Sequence, residues 1–114
     1  MSQQCIKRTT LFKIPKEEDI PKALEAYKEL ERTAIKDGKS YILSCDAGKI
    51  INTSEPRSQG YTVCGQTTFS TIEDVHYYDN ECAAHAKLKS IVTPIRTDAA
   101  VMLFESDRPP PPSY

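Results

Sequence analysis

Hydrophobic and polar positions alternate near the start of the chain, over residues 6–14. Successive side chains of an extended backbone point to opposite faces, so every second residue shares a face. Thr10, Phe12 and Ile14 therefore lie on one face of this segment. Leu11 lies on the other face, between two polar residues on that side. The alternation predicts a first strand over residues 6–14.

The hydrophobic period changes over residues 17–36, where apolar side chains recur at spacings of three and four. That spacing predicts a long amphipathic helix with one apolar stripe. Asp19 is placed to cap the start of the helix, and Gly38 follows its last turn, where a left-handed residue is often needed. The stripe consists of Ile20, Leu24, Tyr27, Leu30 and Ala34.

Two further segments, residues 40–52 and residues 61–69, are rich in strand-forming residues. The polar segment between them, residues 53–60, has turn-forming residues at both ends. This arrangement predicts a hairpin made of a second and a third strand.

A second helix is predicted to begin at Ser70, because Ser70 and Glu73 have the spacing of a capping box. Apolar residues then continue at helical spacing as far as Ile95. The run is broken by polar residues at positions 79–80, so we expect an interruption of the helix there.

The last predicted element is a strand over residues 98–105, which are apolar enough to be covered on both faces. The order strand, helix, strand, strand, helix, strand is typical of α+β proteins of the ferredoxin-like βαββαβ class. In that class an antiparallel sheet has both helices on one face. Leu11, Val63 and Val101 indicate apolar side chains on both faces of the sheet. Because a monomer would leave one apolar face uncovered, we expect a homodimer whose sheets face each other.

The length of 114 residues is that of one domain. We predict a single domain over residues 1–106 and a flexible proline-rich tail over residues 107–114. The formal net charge is −1 and the charges are interleaved, so nucleic acid is not expected as a partner. No apolar run approaches the roughly 20 residues of a membrane span, and the start lacks a signal-peptide profile. We therefore expect a cytoplasmic protein with no membrane partner.

The cysteines lie far apart along the chain, so they form neither a zinc knuckle nor a Cys-x-x-Cys redox motif. We therefore predict reduced thiols, no metal site and no cofactor. The four residues are Cys5, Cys45, Cys64 and Cys82.

The candidate for chemistry is His85, one of two histidines, which follows Tyr78 in a helix-forming segment. Histidine titrates near neutral pH and is suited to proton transfer, but a histidine in a helix can equally be a packed or solvated residue. The two side chains are about two turns apart and share a face if the helix is continuous. Tyr78 is either a hydrogen-bond donor or a core aromatic, and the other histidine, His76, is expected at the surface.

Four segments of the chain carry a resemblance: Thr10 through Pro15, Gly60 through Thr62, Thr68-Phe69 and Tyr78 through His85. In this order and spacing they resemble the family of stress-responsive dimeric α+β barrel proteins. The resemblance extends from about Lys7 to Glu105. It implies a homodimer whose two sheets close into a barrel, with a mostly apolar cleft between sheet and helices in each subunit.

One branch of that family resembles plant olivetolic acid cyclase, which closes a linear polyketide by an aldol-type condensation without a cofactor. Tyr78 and His85 match the tyrosine and the histidine base of that enzyme, with a spacing that differs by one residue. This chain reads Cys82-Ala83-Ala84 where the cyclase has a second histidine and a proline.

The resemblance implies that His85 is the base and that Tyr78 is the donor that stabilises the enolate. An aldol closure needs both groups. The residues expected to bind the substrate in the cleft are Tyr61, Tyr27, Phe12 and Leu88.

Two functions are compatible with these features. The first is a cofactor-independent enzyme that condenses a small polyketide-like or other carbonyl compound. The second is a non-catalytic stress-response or ligand-binding dimer that holds an apolar small molecule. A third hypothesis, a cofactor-free oxygenase of a related barrel fold, has no residue pattern in its favour.

Overall fold

A computed structural model of the protein describes residues 4–108. This part of the chain forms four strands, three α-helices and two short 3-10 helices. The strands are β1 (Cys5–Lys13), β2 (Ile42–Lys49), β3 (Val63–Phe69) and β4 (Asp98–Ser106). The α-helices are α1 (Ile20–Thr33), α2 (Ile72–Asn80) and α3 (Ala83–Val92). The 3-10 helices are Glu17–Asp19 and Pro56–Ser58.

The four strands form one antiparallel sheet in the order β2-β3-β1-β4. Strand β1 is central and pairs with both β3 and β4, and the predicted hairpin of β2 and β3 is present. This is the ferredoxin-like α+β fold that the order of elements predicts. The predicted second helix is divided into α2 and α3, with the break at residues 81–82, directly after the predicted positions 79–80, which are still helical.

The hydrophobic core lies between the helices and one face of the sheet. Phe12 and Ile14 of β1 are buried there, as the alternation along the strand predicts. The predicted stripe of α1 faces the same core, with Tyr27 and Leu30 almost fully buried. Burial of this stripe is what holds α1 on the sheet, since an isolated helix of 14 residues is marginal in water.

Asp19 is the N-cap residue of the first helix, as predicted, but its side chain does not cap, and the predicted C-terminal end is wrong. Asp19 makes no side-chain cap, because its carboxylate accepts a hydrogen bond from the Lys22 ammonium at 2.8 Å. The helix ends at Thr33, since the next residue, Ala34, has an extended backbone with ψ of 122°. Gly38 has a φ of +77°, but it lies in a separate tight turn after the helix.

The predicted cap of the second helix is wrong by one residue. Thr71, not Ser70, has the extended backbone of an N-cap, with φ of −141° and ψ of 162°. Its hydroxyl oxygen accepts a hydrogen bond from the backbone N–H of Asp74 at 3.2 Å. Two adjacent hydroxyl residues fit the same sequence pattern, and the backbone conformation decides between them.

The strand register shows which face of the sheet each of the three apolar residues occupies. In an antiparallel pair, directly opposed residues lie on the same face. Val63 is opposite Phe12 and Val101 is opposite Thr10, so both valines lie on the helix-facing side. Of the three apolar residues that suggested a two-sided sheet, Leu11 alone lies on the outer face.

Strand β4 is exposed, although its apolar sequence predicts cover on both faces. It is an edge strand with a partner on one side, and its side chains from Val101 to Phe104 are between 45% and 62% exposed. Met102 is opposite Thr9, and Phe104 is opposite Lys7. Met102 and Phe104 therefore project from the outer face, which is apolar along this edge.

The thiols of the four cysteines are free, with no disulfide between them. None of the helices within residues 4–108 is both long enough and apolar enough to cross a membrane. The same residues contain no group of three or more histidine, cysteine or acidic side chains that could hold a metal ion. Of the predicted tail, Asp107 and Arg108 belong to the described residues, and residues 109–114 lie outside them.

Gly65 lies in the middle of β3, directly beneath the ring of Tyr27. It is opposite Thr10 and therefore on the helix-facing side of the sheet. A Cβ atom at this position would overlap the phenol ring of Tyr27. The glycine thus allows α1 to press a buried aromatic side chain against the sheet.

Replacing Gly65 with alanine is expected to lower the free energy of unfolding by about 1–3 kcal/mol, because the added methyl group displaces Tyr27. Gly48→Ala is the matched control, since no atom lies within 4 Å of a Cβ built at Gly48. The control should stay within about 0.5 kcal/mol of the wild type. Urea unfolding measures all three proteins, and equal midpoints would contradict this packing.

Candidate functional site

A cavity of about 130 Å³ lies between helix α3 and the helix-facing side of strands β1 and β4. Its wall is largely apolar and also contains polar and cationic side chains. The apolar wall is formed by Phe12, Leu88, Val92, Ala99 and Val101. The remaining lining residues are Arg8, Thr10, Tyr27, His85, Lys89, Thr93 and Arg96.

The side-chain period of two along a strand and of about 3.6 along a helix places these side chains on facing surfaces of β1 and α3. Along β1, every second residue from Arg8 through Phe12 points toward the helices. Along α3, His85 and Leu88 are three residues apart, and Val92 follows four residues later, so they share a face of the helix. The cavity is the space that remains where these two faces meet.

His85 is 5% exposed, and its Nδ1 atom lies 2.8 Å from the backbone carbonyl oxygen of Tyr78. A carbonyl oxygen only accepts hydrogen bonds, so we assign the ring proton to Nδ1. In the neutral ring, Nε2 then carries a lone pair, and no described residue donates a hydrogen bond to it. The ring is also stacked on the Tyr78 ring, with centroids 3.7 Å apart and planes 13° apart.

The break between α2 and α3 makes the Tyr78 carbonyl available. In a regular helix the carbonyl of Tyr78 would accept from the N–H of Cys82. Here the N–H groups of Glu81 and Cys82 both donate to the carbonyl of Tyr77, at 2.8 and 2.9 Å. The Tyr78 carbonyl is therefore one of the unpaired groups at a helix end, and His85 satisfies it.

The imidazole of His85 is neutral at physiological pH. Burial is the largest effect and lowers the pKa of His85 from 6.5 to about 4. The hydrogen bond to the Tyr78 carbonyl opposes this shift, while the charges of Arg8 and Lys89 add to it. The unprotonated Nε2 can accept a proton or a hydrogen bond at pH 7.

Arg8 is a buried cation on the cavity wall. Its Nη1 donates to the Thr10 hydroxyl oxygen at 2.8 Å, and its Nη2 pairs with the Asp79 carboxylate at 2.9 Å. Its guanidinium carbon also lies 5.0 Å from the centre of the Tyr78 ring. The Thr10 oxygen accepts from Arg8, and the Thr10 hydroxyl also interacts with the Tyr27 hydroxyl on the cavity wall.

Of the six residues that the sequence suggests for catalysis or substrate binding, four line this cavity: His85, Tyr27, Phe12 and Leu88. Tyr78 does not line it, because the ring lies behind His85 among core aromatics. The Tyr78 hydroxyl is buried without a hydrogen-bond partner among the described residues, and burial raises its pKa.

Tyr61 lies away from this cavity, with the Lys13 ammonium 4.9 Å from its ring centre. His76 is exposed, as expected. Sequence reasoning missed Arg8 and Arg96 as lining residues. For Arg8 a signal exists, since it shares the buried face of an alternating strand, where a charged side chain is unusual. For Arg96 the sequence gives no comparable signal.

The low pKa of His85 makes stability depend on pH. As pH falls below about 6.5, the imidazole of His85 binds a proton in the unfolded chain. In the folded protein the same imidazole stays unprotonated until the pH reaches about 4. We expect the free energy of unfolding to fall over this window by up to roughly 3 kcal/mol on account of His85. At pH 7 and above this contribution is fully present.

Urea unfolding at a series of pH values from about 7.5 to 4.5 measures this dependence for the wild type and for His85→Gln. Glutamine can still donate to the Tyr78 carbonyl but does not titrate. Other groups titrate in both proteins, so the difference between the two curves isolates His85. Parallel curves across the window would contradict a buried neutral imidazole.

Comparison with known proteins gives concordant results. The model of the stress responsive A/B barrel domain, Dabb, matches residues 6–106. The chain is 36% identical over 99 residues to a fusaristatin A biosynthesis cluster protein of Gibberella zeae, covering 87% of this chain and 70% of that protein.

Solved structures share the fold at low identity. A hydroxynitrile lyase of Passiflora edulis has a TM-score of 0.73 at 13% identity, covering 96% of this chain and 99% of that one. A protein of Arabidopsis thaliana has a TM-score of 0.70 at 21% identity, with the same coverage. A dimeric ferredoxin-like protein of Thermobifida fusca has a TM-score of 0.71 at 12% identity, covering 91% and 92%. With its fold and its family match in agreement, the chain belongs to the stress responsive A/B barrel domain family.

Proposed function

We propose that the protein is a cofactor-independent cyclase-like enzyme that acts on a small polyketide-like carbonyl compound in the cavity beside α3. The observation that carries this proposal is the neutral, buried imidazole of His85, whose Nδ1 is engaged and whose Nε2 is unpaired. The cavity otherwise presents hydrogen-bond donors, so it suits a ligand with acceptor oxygens and one proton to lose.

In the proposed reaction, Nε2 of His85 removes a proton from a carbon next to a carbonyl group. The electron pair moves to the carbonyl oxygen and forms an enolate. The enolate carbon attacks a second carbonyl of the same molecule, which forms the ring bond and leaves an alkoxide. The imidazolium then returns its proton to that alkoxide, so protons and electrons balance.

Donors for the enolate oxygen are the Thr10 and Tyr27 hydroxyls, both on the cavity wall. Burial raises the pKa of Tyr27 to about 12, which keeps its hydroxyl protonated. We assign Tyr78 a positioning role, because its carbonyl and ring hold the imidazole while its hydroxyl does not line the cavity.

The Gibberella zeae relative supports a role in making a small molecule, since it belongs to a fusaristatin A biosynthesis cluster. We assign this activity to the cytoplasm, which the four free thiols support.

A second candidate function is ligand binding without turnover. The position of the Tyr78 hydroxyl favours it, because the tyrosine expected to donate to the enolate is instead buried behind His85. A buried histidine and an apolar wall also suit simple retention of a small molecule.

We expect His85→Gln to slow ring closure of a linear poly-β-carbonyl thioester by at least about 100-fold, because general base catalysis is lost. His76→Gln is the matched control, since that histidine is exposed and does not line the cavity. Ring product is measured by mass spectrometry over time. Equal rates for wild type and His85→Gln would remove His85 from the chemistry, and binding without any wild-type turnover would favour the second function.

We further propose that the domain of residues 1–106 forms a homodimer through the outer face of its sheet. Leu11 of the central strand and Met102 and Phe104 of the edge strand contribute apolar side chains to that face. Several solved structures with this fold are dimeric, which supports the same arrangement here.

Met102→Glu is expected to weaken dimerisation by at least about tenfold, because it brings a charge into the apolar part of the proposed interface. Ile51→Glu makes a similar change at a residue that is 95% exposed and outside the sheet, so it should leave the dimer intact. Light scattering across a dilution series measures the subunit count. A wild type that is monomeric at micromolar concentration would contradict the proposed interface.

A further inference from the structure

We propose that Arg96 selects ligands that carry a carboxylate. This inference rests on the proposed function, because it concerns the ligand of the same cavity. It adds the charge of that ligand and the residue that recognises it.

The charges on the cavity wall are all of one sign. Arg8, Lys89 and Arg96 line the cavity, and no acidic side chain does. The charge of Arg8 is already compensated, because its guanidinium pairs with the Asp79 carboxylate at 2.9 Å. Within residues 4–108, no carboxylate forms an ion pair with Lys89 or with Arg96. Lys89 is exposed and its ammonium donates to the backbone carbonyl of Asp79, so the half-buried Arg96 is the lining cation best placed for the charge of an occupant.

Arg96 and His85 line this site from well-separated points of the chain, since His85 is in the first turn of α3 and Arg96 follows the end of that helix. Arg96 lies in a helical turn beyond α3, where its backbone N–H donates to the carbonyl of Val92 at 3.0 Å. It is thus about three helical turns from His85 along the chain. Between these two residues along the chain, Leu88 and Val92 also line the cavity.

An occupant that matches this order has a carbonyl near His85, an apolar body along the wall and an anionic group at Arg96. A guanidinium matches the two oxygens of a carboxylate with two parallel hydrogen bonds. The ammonium of Lys89 lies 3.4 Å from the backbone carbonyl oxygen of Asp79, and its charge adds to a positive field over the cavity that favours entry of an anion. The ligand class is therefore a carbonyl compound with a free carboxylate.

Benzoate and benzamide are suitable probes, because they share a shape and differ in charge. A cavity of about 150 Å³ holds benzene, so their rings are of the right size for this one. Binding to the full-length protein is followed by NMR titration, using the signals of His85, Leu88 and Val92. Arg96→Gln is the test variant, and its side chain is half-buried in the structure. Arg57→Gln is the matched control, since it removes one positive charge from an exposed connection far from the cavity wall.

The wild type is expected to bind benzoate about tenfold more tightly than benzamide, as a charge-assisted hydrogen bond implies. Arg96→Gln should lose this preference with benzamide binding unchanged, and Arg57→Gln should keep it. Three results would overturn the inference about charge. The preference for benzoate could be absent from the wild type, persist in Arg96→Gln or disappear in Arg57→Gln. If benzamide still shifts the His85 signals in that case, the proposed function stands. If neither probe shifts the signals of the cavity wall, both proposals fail.

Discussion

The hydrogen bond between His85 Nδ1 and the Tyr78 carbonyl oxygen is the contact on which the site depends. It exists because the helix is broken between α2 and α3, where two successive N–H groups donate to the carbonyl of Tyr77. A continuous helix would use the Tyr78 carbonyl internally. The break thus fixes the position of the imidazole, the nitrogen that carries the proton and the nitrogen that does not.

The sheet forms the other side of the site, because side chains along its central strand alternate between the two faces. Arg8, Thr10 and Phe12 point toward α3 because they are two residues apart on a central strand. Gly65 on the neighbouring strand lets the Tyr27 ring approach closely enough to join them. Apolar burial therefore holds the cavity in shape, and a few polar groups on its wall provide the chemistry.

Most of the fold could be predicted from the sequence, because each element has a clear hydrophobic period and the order of elements has a common topology. The break before His85 was also predictable from the polar residues that interrupt the apolar pattern. The sheet face on which a strand residue lies and the residue that caps a helix were harder to predict from the sequence. Strand register alone decides that Val101 faces the helices, and local backbone geometry alone decides that Thr71 is the cap. The sequence also predicts His85 as a candidate, but the side chains that surround it come from elements distant in the chain.

The central claim is that His85 is neutral, protonated on Nδ1 and unprotonated on Nε2. The most direct test is NMR of the ¹⁵N-labelled imidazole rings of the protein at pH 7, with His85→Gln to assign the signals. The account predicts one ring with a protonated Nδ1 and a bare Nε2, and no change of that ring down to about pH 5. A His85 ring that is an imidazolium at pH 7, or that carries its proton on Nε2, would contradict it.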